Sequence, residues 1–235
     1  MKAFIIAGGE GTRLKPYTYT TPKPMLFLGC KPILQYTFDN LKRFGIKDYV
    51  ITLRYLHEQI SSYFGDGSKF GVKIEYSVEK EVRNTAGSIL PYKGKVKDTF
   101  FVLMGDHLTN INLNDMLKHH KKSGAIATIA LYKDRKHLEY GVASVEGTKV
   151  TGFKEKPVLD SLYNTAIYVF EPEVFDYINE GDDFAKNVIP RLIKEGKKVE
   201  GFVFDDVWFD VGNIPDYVKL DHMMKVIKLA NDLDS

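Results

Sequence analysis

Short apolar runs alternate along the first half of the chain with longer segments in which apolar residues recur at helical spacing. The runs predict buried strands at positions 3–6, 49–53, 72–78 and 100–104. The helical spacing predicts helices at 33–44 and 58–63. A further helix is predicted to begin after Asn112, which is a typical N-cap residue.

The second half contains mostly strands. Apolar and alternating runs predict them at 125–131, 141–145, 150–153, 166–170 and 199–204, with helices at 183–193 and from 214 onward. This order predicts an α/β fold of Rossmann-like, three-layer α/β/α type, with a mixed, mostly parallel central sheet and an antiparallel part. No Gly/Ser-rich or Pro-rich linker divides the chain, so we expect one domain over residues 1–235.

Composition and charge narrow the classes of partner. Hydrophobic residues make up 44% and charged residues 27% of the 235 residues, which excludes a disordered chain. The 33 Lys and Arg residues against 31 Asp and Glu give a net charge of only +2. A general nucleic-acid or anionic-membrane partner would require a basic excess, so we expect neither.

The chain has one cysteine, Cys30, so no internal disulfide can form, and we expect its side chain to be packed. The N-terminal apolar run at positions 3–7 is shorter than the core of a signal peptide. No run approaches the roughly 20 apolar residues of a membrane span. The expectation is a soluble, cytoplasmic protein.

A glycine-rich loop follows the first predicted strand, at the place where open α/β sheets bind ligands. Its sequence is Ala7-Gly8-Gly9-Glu10-Gly11-Thr12-Arg13. Backbone N–H groups of such a loop can approach a phosphate closely. The loop is not a dinucleotide fingerprint, because Leu14 replaces the third glycine, and it lacks the Gly-Lys-Ser/Thr of a P-loop.

Two cations accompany the loop. Arg13 closes it, and Lys23 follows ten residues later between Pro22 and Pro24, which restrict the backbone around it. Arginine binds phosphate through two parallel hydrogen bonds and lysine acts as a point charge. The pair predicts a clamp for a polyphosphate.

The continuous run AGGEGTRLKPYTYTTPKPML resembles the signature of sugar-1-phosphate nucleotidylyltransferases, and the resemblance extends from residue 2 to about residue 219. It implies an enzyme of nucleotide-sugar biosynthesis that uses a nucleoside triphosphate and a sugar 1-phosphate and releases pyrophosphate. Arg13, Lys23 and Asp106 would then be catalytic. The implied nucleotide-binding residues are Ala7, Gly8, Gly9, Gly11, Thr12, Glu79, Asn84 and Thr85.

Two aspartates match the metal ligands of the resembled family. Asp106 follows the apolar strand 100–104, and Asp210 lies in the segment Trp208-Phe209-Asp210. A nucleoside triphosphate requires Mg²⁺, which takes one or two protein carboxylates. The resemblance therefore implies Mg²⁺ on Asp106 and Asp210, while His107 is expected to be a solvated or capping residue.

The sugar-phosphate site is implied by three further segments. The string Phe153-Lys154-Glu155-Lys156-Pro157 resembles the family's E-K-P motif, in which the lysine meets phosphate and the glutamate meets sugar hydroxyls. The implied sugar-phosphate residues are Gly87, Gly141, Glu155, Lys156 and Asn164. Two positions depart from the family, because Asn84 and Ala166 stand where glycine is usual.

Glu79 falls where family members place a residue that recognises the base. A carboxylate only accepts hydrogen bonds, and guanine presents two adjacent donors to it. Together with Thr85-Ala86-Gly87, this favours GTP and the mannose-1-phosphate guanylyltransferase branch. The alternative is a glucose-1-phosphate uridylyl- or thymidylyltransferase.

Two other classes stay open. A metal-dependent glycosyltransferase would more often carry Asp-x-Asp, whereas Asp106 is followed by His107 and Leu108. A non-catalytic nucleotide-sensing subunit would commonly have lost Arg13 or Lys23.

The expected organisation is a nucleotide-binding half (1–110), a sugar-phosphate-binding half (111–212) and a C-terminal helix (213–235). We expect no C-terminal β-helix domain. The apolar stripe of the last helix is expected to pack on the domain, with association into a homo-oligomer as the alternative. It comprises Tyr217, Leu220, Met224, Ile227 and Leu229.

Overall fold

The first strand lies at the centre of the molecule because both of its faces are apolar. In a computed structural model, which describes residues 1–233 and side chains as far as residue 227, this strand is β1 (Lys2–Ile6). Residues Ala3 to Ile6 are all buried. Parallel strands pair with both edges of β1, so its buried position is as the sequence predicts.

The described residues form the following elements. The remaining strands are β2 (Phe27–Leu28), β3 (Lys31–Pro32), β4 (Asp48–Leu53), β5 (Lys73–Val78), β6 (Phe100–Met104), β7 (His107–Thr109), β8 (Ala127–His137), β9 (Val142–Glu146), β10 (Lys149–Lys154), β11 (Val158–Phe170), β12 (Val199–Phe204) and β13 (Trp208–Asp210). The helices are α1 (Ile33–Arg43), α2 (His57–Phe64), α3 (Asn84–Gly87), α4 (Leu113–Ser123), α5 (Ile189–Lys194) and α6 (Ile214–Leu233).

Seven strands form one mixed sheet. Their spatial order is β12, β8, β11, β6, β1, β4, β5. Only the pairs made by β11 are antiparallel, and every other pair in the sheet is parallel. The carboxyl ends of β6, β1, β4 and β5 therefore meet at one edge of the sheet, and the predicted fold class is confirmed.

The two faces of the sheet bury separate clusters. Ala3 and Ile5 point to one face, where they meet side chains of α1, α2 and α4. Phe4 and Ile6 point to the other face, where they meet the segment 86–96 and the helical segment that includes α5. This alternation along β1 is the period of two expected for a strand, and it produces the three layers.

Two strands are much longer than predicted. β8 and β11 continue beyond the sheet and pair with each other as a ribbon, from Lys133 opposite Leu162 to His137 opposite Val158. This extension carries ion pairs such as Lys133 Nζ to Asp160 Oδ2 at 3.2 Å instead of an apolar core, so hydrophobicity did not predict it. The hairpin of β9 and β10 is exposed along its whole length.

Cys30 is exposed, so the prediction that it is packed is wrong. Helix α6 buries Leu220 against Leu14, Leu28 and Ile33, and Tyr217 and Met224 are partly buried beside it, as predicted. Ile227 is 49% exposed, so the predicted packing is wrong for this residue. The side chain of the predicted member Leu229, and residues 234–235 of the predicted helix, lie outside what the structure describes. Within the described residues, no helix is long and apolar enough to cross a membrane.

A buried histidine links the sheet to α4 at the edge opposite the carboxyl ends of β1 and β6. His120 is 1% exposed, its Nδ1 lies 2.8 Å from Thr128 Oγ1, and its Nε2 lies 3.2 Å from Glu171 Oε1. Burial lowers the pKa of His120 below its ordinary value, and the charges of Lys121 and His119 act in the same direction, while Glu171 opposes them.

We expect this histidine to make the free energy of unfolding depend on pH. Because its pKa is lower in the folded state, the unfolded chain binds more protons just below the ordinary histidine pKa of about 6.5, so stability falls as the pH drops through that value. Urea unfolding at a series of pH values should show a shallower fall for His120→Gln than for wild type. A matched surface variant, His222→Gln, should retain the wild-type slope. Equal slopes in all three proteins would contradict the assignment.

Candidate active site

A cleft of about 350 Å³ opens at the carboxyl edge of β1, β4, β5 and β6. It gathers most of the residues that the sequence predicted for a nucleotide site. The predicted residues that line it are Ala7, Gly8, Gly9, Gly11, Thr12, Arg13, Lys23, Glu79, Asn84, Thr85 and Asp106. The glycine loop forms the floor, and the residues that follow the neighbouring strands form the walls.

Gly11 is required for the shape of the loop. Its φ is +62°, a conformation that side chains disfavour. A Cβ atom there would lie 3.0 Å from Thr18 Cγ2 and 3.1 Å from Lys23 Cβ. Thr18 Oγ1 donates a hydrogen bond to Gly11 O at 2.9 Å and fixes the turn. The glycine thus lets Lys23 approach the loop closely.

The ammonium group of Lys23 lies between two carboxylates. Its Nζ is 2.5 Å from Asp106 Oδ2 and 3.4 Å from Asp210 Oδ1. The side chain is only 10% exposed. Lys23 starts a 3₁₀ turn that ends at Met25, so the flanking prolines hold a short, fixed segment against the cleft.

Asp210 reaches this position through a small second sheet. β13 pairs antiparallel with β7, and this pairing places Asp210 opposite His107. Val207 N donates to Asn110 Oδ1 at 2.9 Å and fixes the end of the pair. Residues about one hundred positions apart are thereby brought to one point.

Electrostatics favour an ionised Asp106. Burial opposes ionisation, but the charges of His107 and Lys23 and the hydrogen bond from Lys23 outweigh it, so the pKa of Asp106 lies below its ordinary value. His107 Nε2 lies 3.6 Å from Asp106 Oδ1 and 3.8 Å from Asp210 Oδ1. Its side chain is only 11% exposed, and its ring packs edge-on against Trp208. The expectation of a solvated or capping histidine is therefore wrong.

The residues around Asp106 fit a divalent cation. Single ligand atoms of Asp106, His107 and Asp210 all lie within 4.8 Å of one another. Asp106 Oδ1 is buried and has no hydrogen-bond partner among the described residues. Carboxylate oxygens are the ligands that hard cations such as Mg²⁺ prefer. The donor set and the unpartnered oxygen together support a cation site at this point.

The opposite wall of the cleft carries Glu79. Its N–H donates to Leu53 O at 2.8 Å, which places it directly after β5 and beside the end of β4. Burial raises the pKa of Glu79, while a backbone hydrogen bond from Arg83 and the charges of Arg83 and Arg54 oppose the rise. The carboxylate is thus half-buried and lies within reach of the charges of two arginines.

Asn84 and Thr85 begin α3 on the same wall. Asn84 has φ +55°, which explains how asparagine serves at a position where glycine is usual. Asn84 Nδ2 donates to Gly181 O at 2.8 Å, and Thr85 Oγ1 donates to Asp183 Oδ2 at 2.8 Å. Both side chains are therefore fixed by the segment that precedes α5.

The predicted sugar-phosphate residues do not line this cleft. Glu155 and Lys156 are exposed at the end of β10, and a Cβ on Gly141 would lie 2.8 Å from Glu155 Oε2. Asn164 Nδ2 donates to Tyr168 Oη at 2.9 Å, and its Oδ1 accepts from the N–H of Ala166, which has φ +53°. Gly141 and Glu155 thus meet beside the β9–β10 hairpin, whereas Asn164 lies on β11 opposite Leu131, and the role of these residues stays a prediction.

Gly87, the remaining predicted sugar-phosphate residue, lies at the end of α3 and also does not line the cleft. It is buried, and a Cβ there would lie 2.9 Å from Gly181 N. Its N–H donates to Asp182 O at 3.0 Å. The missing side chain of Gly87 therefore allows two backbone segments to pack closely behind Asn84 and Thr85.

Sequence reasoning missed one charged residue of the cleft. Arg54 lines it directly after β4, and its Nη2 donates to Glu10 Oε1 at 3.0 Å across the glycine loop. Arg54 directly follows the predicted apolar strand 49–53, and residues at such strand ends commonly bind ligands, so this position could have identified it. The other unpredicted lining residues are mostly apolar or small: Ile6, Pro24, Thr52, Val82 and Met104.

The chain is similar in sequence to a known protein family and to several of its named members. The model of the nucleotidyl transferase family matches residues 2–225. The chain is 37% identical to a UTP–glucose-1-phosphate uridylyltransferase from Synechocystis over 92% of its own length and 61% of that protein. It is 34% identical to a mannose-1-phosphate guanylyltransferase from Mycobacterium tuberculosis, over 92% of this chain and 62% of that protein.

The fold is also found in solved structures. One, from Bacillus anthracis, is assigned as a glucose-1-phosphate thymidylyltransferase and matches with a TM-score of 0.76 and 25% identity, over 96% of this chain and 95% of that chain. HddC from Yersinia pseudotuberculosis matches with a TM-score of 0.76 at 23% identity, over 95% and 99% of the two chains, which shows the shared fold. The chain spans about three fifths of the length of the curated relatives that it matches.

The cation site leads to a prediction that requires no enzyme assay. A ligand that binds only the folded state stabilises it by about 2.7 kcal/mol at one hundred times its dissociation constant. Saturating Mn²⁺ or Mg²⁺ should therefore raise the melting temperature of wild type by several degrees. Asp210→Asn should lose the shift, because it removes one carboxylate, and Asp205→Asn, which alters an exposed carboxylate, should retain it. A full shift in Asp210→Asn would place the cation elsewhere.

Proposed function

The chain belongs to the nucleotidyl transferase family, and on that premise we propose that it transfers a nucleoside monophosphate from a nucleoside triphosphate to a sugar 1-phosphate. The products would be a nucleoside-diphosphate sugar and pyrophosphate. The observation that carries the proposal is the convergence of the glycine loop, Arg13, Lys23 and Asp106 on one cleft. A polyphosphate needs this combination of backbone N–H groups and cations.

The proposed reaction is a single displacement. A phosphate oxygen of the sugar 1-phosphate forms a bond to the α-phosphorus, and the bond from that phosphorus to the bridging oxygen of the β-phosphate breaks. The leaving pyrophosphate takes that electron pair. The attacking oxygen is already ionised near neutral pH, so the enzyme would act through positioning and stabilisation of charge.

The three predicted cations, two in the cleft and one outside it, would have separate tasks. Arg13 would hold the departing pyrophosphate, and Lys23, which is fixed at Asp106 and Asp210, would stabilise charge at the α-phosphate. Lys156, on the exposed end of β10, would hold the sugar phosphate. Mg²⁺, when bound by Asp106 and Asp210, would neutralise phosphate charge.

We further propose GTP and mannose 1-phosphate as the substrates. The half-buried carboxylate of Glu79 lies on the wall away from Lys23 and can accept from both N–H groups on the Watson–Crick edge of guanine. Uracil offers one N–H between two carbonyl oxygens that a carboxylate repels. The relatives named as guanylyltransferases are compatible with this choice.

A glucose-1-phosphate uridylyltransferase is the second candidate. The observation that favours it is the 37% identity to the Synechocystis enzyme of that name. The two candidates differ in base and sugar and share the same chemistry at phosphorus.

The organisation that we propose follows the strand order. Residues 1–110 would bind the nucleotide, residues 111–212 would bind the sugar phosphate, and residues 213–235 would form the C-terminal helix. This division agrees with the location of the cleft, which is lined by residues between Ile6 and Asp106.

Loss of the Lys23 ammonium should slow the chemistry strongly. Deleting one contact that stabilises transition-state charge typically costs about 10²–10³ in rate. We expect Lys23→Ala to lower kcat for pyrophosphate release by at least that factor while its circular dichroism stays that of a folded protein. Lys122→Ala, at an exposed lysine of α4, is the control. Near-normal turnover of folded Lys23→Ala would remove Lys23 from the mechanism.

A substrate panel tests the choice of base and sugar. Five nucleoside triphosphates against four sugar 1-phosphates, followed by pyrophosphate release, should give the highest kcat/KM with GTP and mannose 1-phosphate. Glu79→Gln should lower kcat/KM for GTP about tenfold or more, the typical value of a charged hydrogen bond, and should spare UTP. An equal loss with GTP and UTP would exclude Glu79 from base recognition.

A further inference from the structure

Arg54 is a charged group of the cleft to which the mechanism above gives no task. It follows β4 directly, and its side chain is 27% exposed and lines the cleft. Among the described residues, its side chain hydrogen-bonds to Glu10, whose Oε1 accepts from Nη2 at 3.0 Å. A guanidinium has five N–H donors in a planar fork, so four donors lie beyond this bond.

The order of the strands shows which part of a nucleotide Arg54 would face. Across the edge of the sheet, Asp106 follows β6, the glycine loop follows β1, Arg54 follows β4 and Glu79 follows β5. Neighbouring strands lie about 4.8 Å apart. Lys23 and Asp106, the residues that we propose to act at the polyphosphate, lie on one side of the loop. Arg54 lies on the other side, next to Glu79.

The local contacts agree with this order. A Cβ on Gly8 would lie 3.4 Å from Arg54 Cβ, so the stem of Arg54 passes along the loop. Glu79 N donates to Leu53 O, the residue before Arg54. Arg54 thus stands between the loop and the carboxylate that would accept from the base.

Arg54 and Glu79 together form a complementary pair for one nucleobase. Guanine presents two adjacent acceptors, O6 and N7, and arginine binds them bidentately. On its next edge it presents N1–H and the exocyclic amine, which suit a carboxylate. Uracil has no ring acceptor that corresponds to N7, so it cannot use both residues in this way.

We propose that Arg54 is a specificity-determining residue that donates to O6 and N7 of guanine while Glu79 accepts from the adjacent donors. Glu10 is then a positioning residue, because its carboxylate holds the guanidinium against the loop and reduces the rotamers that binding must restrict. The inference rests on the proposed function, since it assumes a nucleoside triphosphate in this cleft.

Nucleotide analogues that each lack one hydrogen-bonding group of guanine test Arg54 and Glu79 separately. Calorimetric titration with GTP and 7-deaza-GTP, which lacks the N7 acceptor, should show about tenfold weaker binding of the analogue to wild type, the value of one charged hydrogen bond. In Arg54→Met the two affinities should agree within about twofold. Inosine triphosphate, which lacks the exocyclic amine, should bind more weakly than GTP in both proteins.

Two further variants complete the design. Arg83→Met is the control, because Arg83 is the second arginine near Glu79 but does not line the cleft. This variant should retain the wild-type ratio of GTP to 7-deaza-GTP affinity. Glu10→Ala should lower that ratio without changing the ratio of GTP to inosine triphosphate affinity, since it loosens Arg54 alone. This second variant tests the inference even if Arg54→Met does not fold.

The outcomes separate the inference from the proposed function. Equal binding of GTP and 7-deaza-GTP to wild type, or an unchanged ratio in Arg54→Met, would overturn the role of Arg54 while GTP-dependent pyrophosphate release still stood. Binding of UTP in preference to GTP would overturn both the guanine proposal and this inference. Absence of pyrophosphate release with every nucleotide would overturn the proposed function itself.

Discussion

The ammonium group of Lys23 lies between the carboxylates of Asp106 and Asp210, and the geometry of the cleft depends on this contact. It joins three segments that are far apart in the sequence: the proline-flanked turn, the end of β6 and the strand β13. The two carboxylates repel each other, and the largely buried ammonium group between them offsets that repulsion. The near-neutral charge of the whole chain therefore conceals a strongly polarised centre.

The glycine-loop side of this centre could be predicted from the sequence for a physical reason. Continuous apolar strands are easy to detect, and parallel strands deliver the residues that follow them to one edge. Asp106, Glu79 and the glycine loop all follow such strands, and the structure places them in one cleft. The same rule would have found Arg54, but a single arginine after a strand has no motif around it.

Other features depend on contacts that periodicity does not encode. Asp210 meets Asp106 only because three residues of β13 pair with three residues of β7. The long ribbon of β8 and β11 is stabilised by pairing and by ion pairs, so its charged residues gave no apolar pattern. The environment of His107, shielded between Trp208 and two carboxylates, likewise arises from that distant pairing. Local pattern thus predicted the buried strands and main helices, and tertiary pairing completed the site.

In the proposed reaction, the α-phosphorus of a nucleoside triphosphate is attacked in the cleft around Lys23. The most direct measurement is the fate of isotope in a single turnover with mannose 1-phosphate and GTP labelled with ³²P at either the α- or the γ-position. We expect the α-label in the nucleoside-diphosphate sugar and the γ-label in pyrophosphate. Release of γ-label as inorganic phosphate, or its transfer to the sugar, would contradict the account.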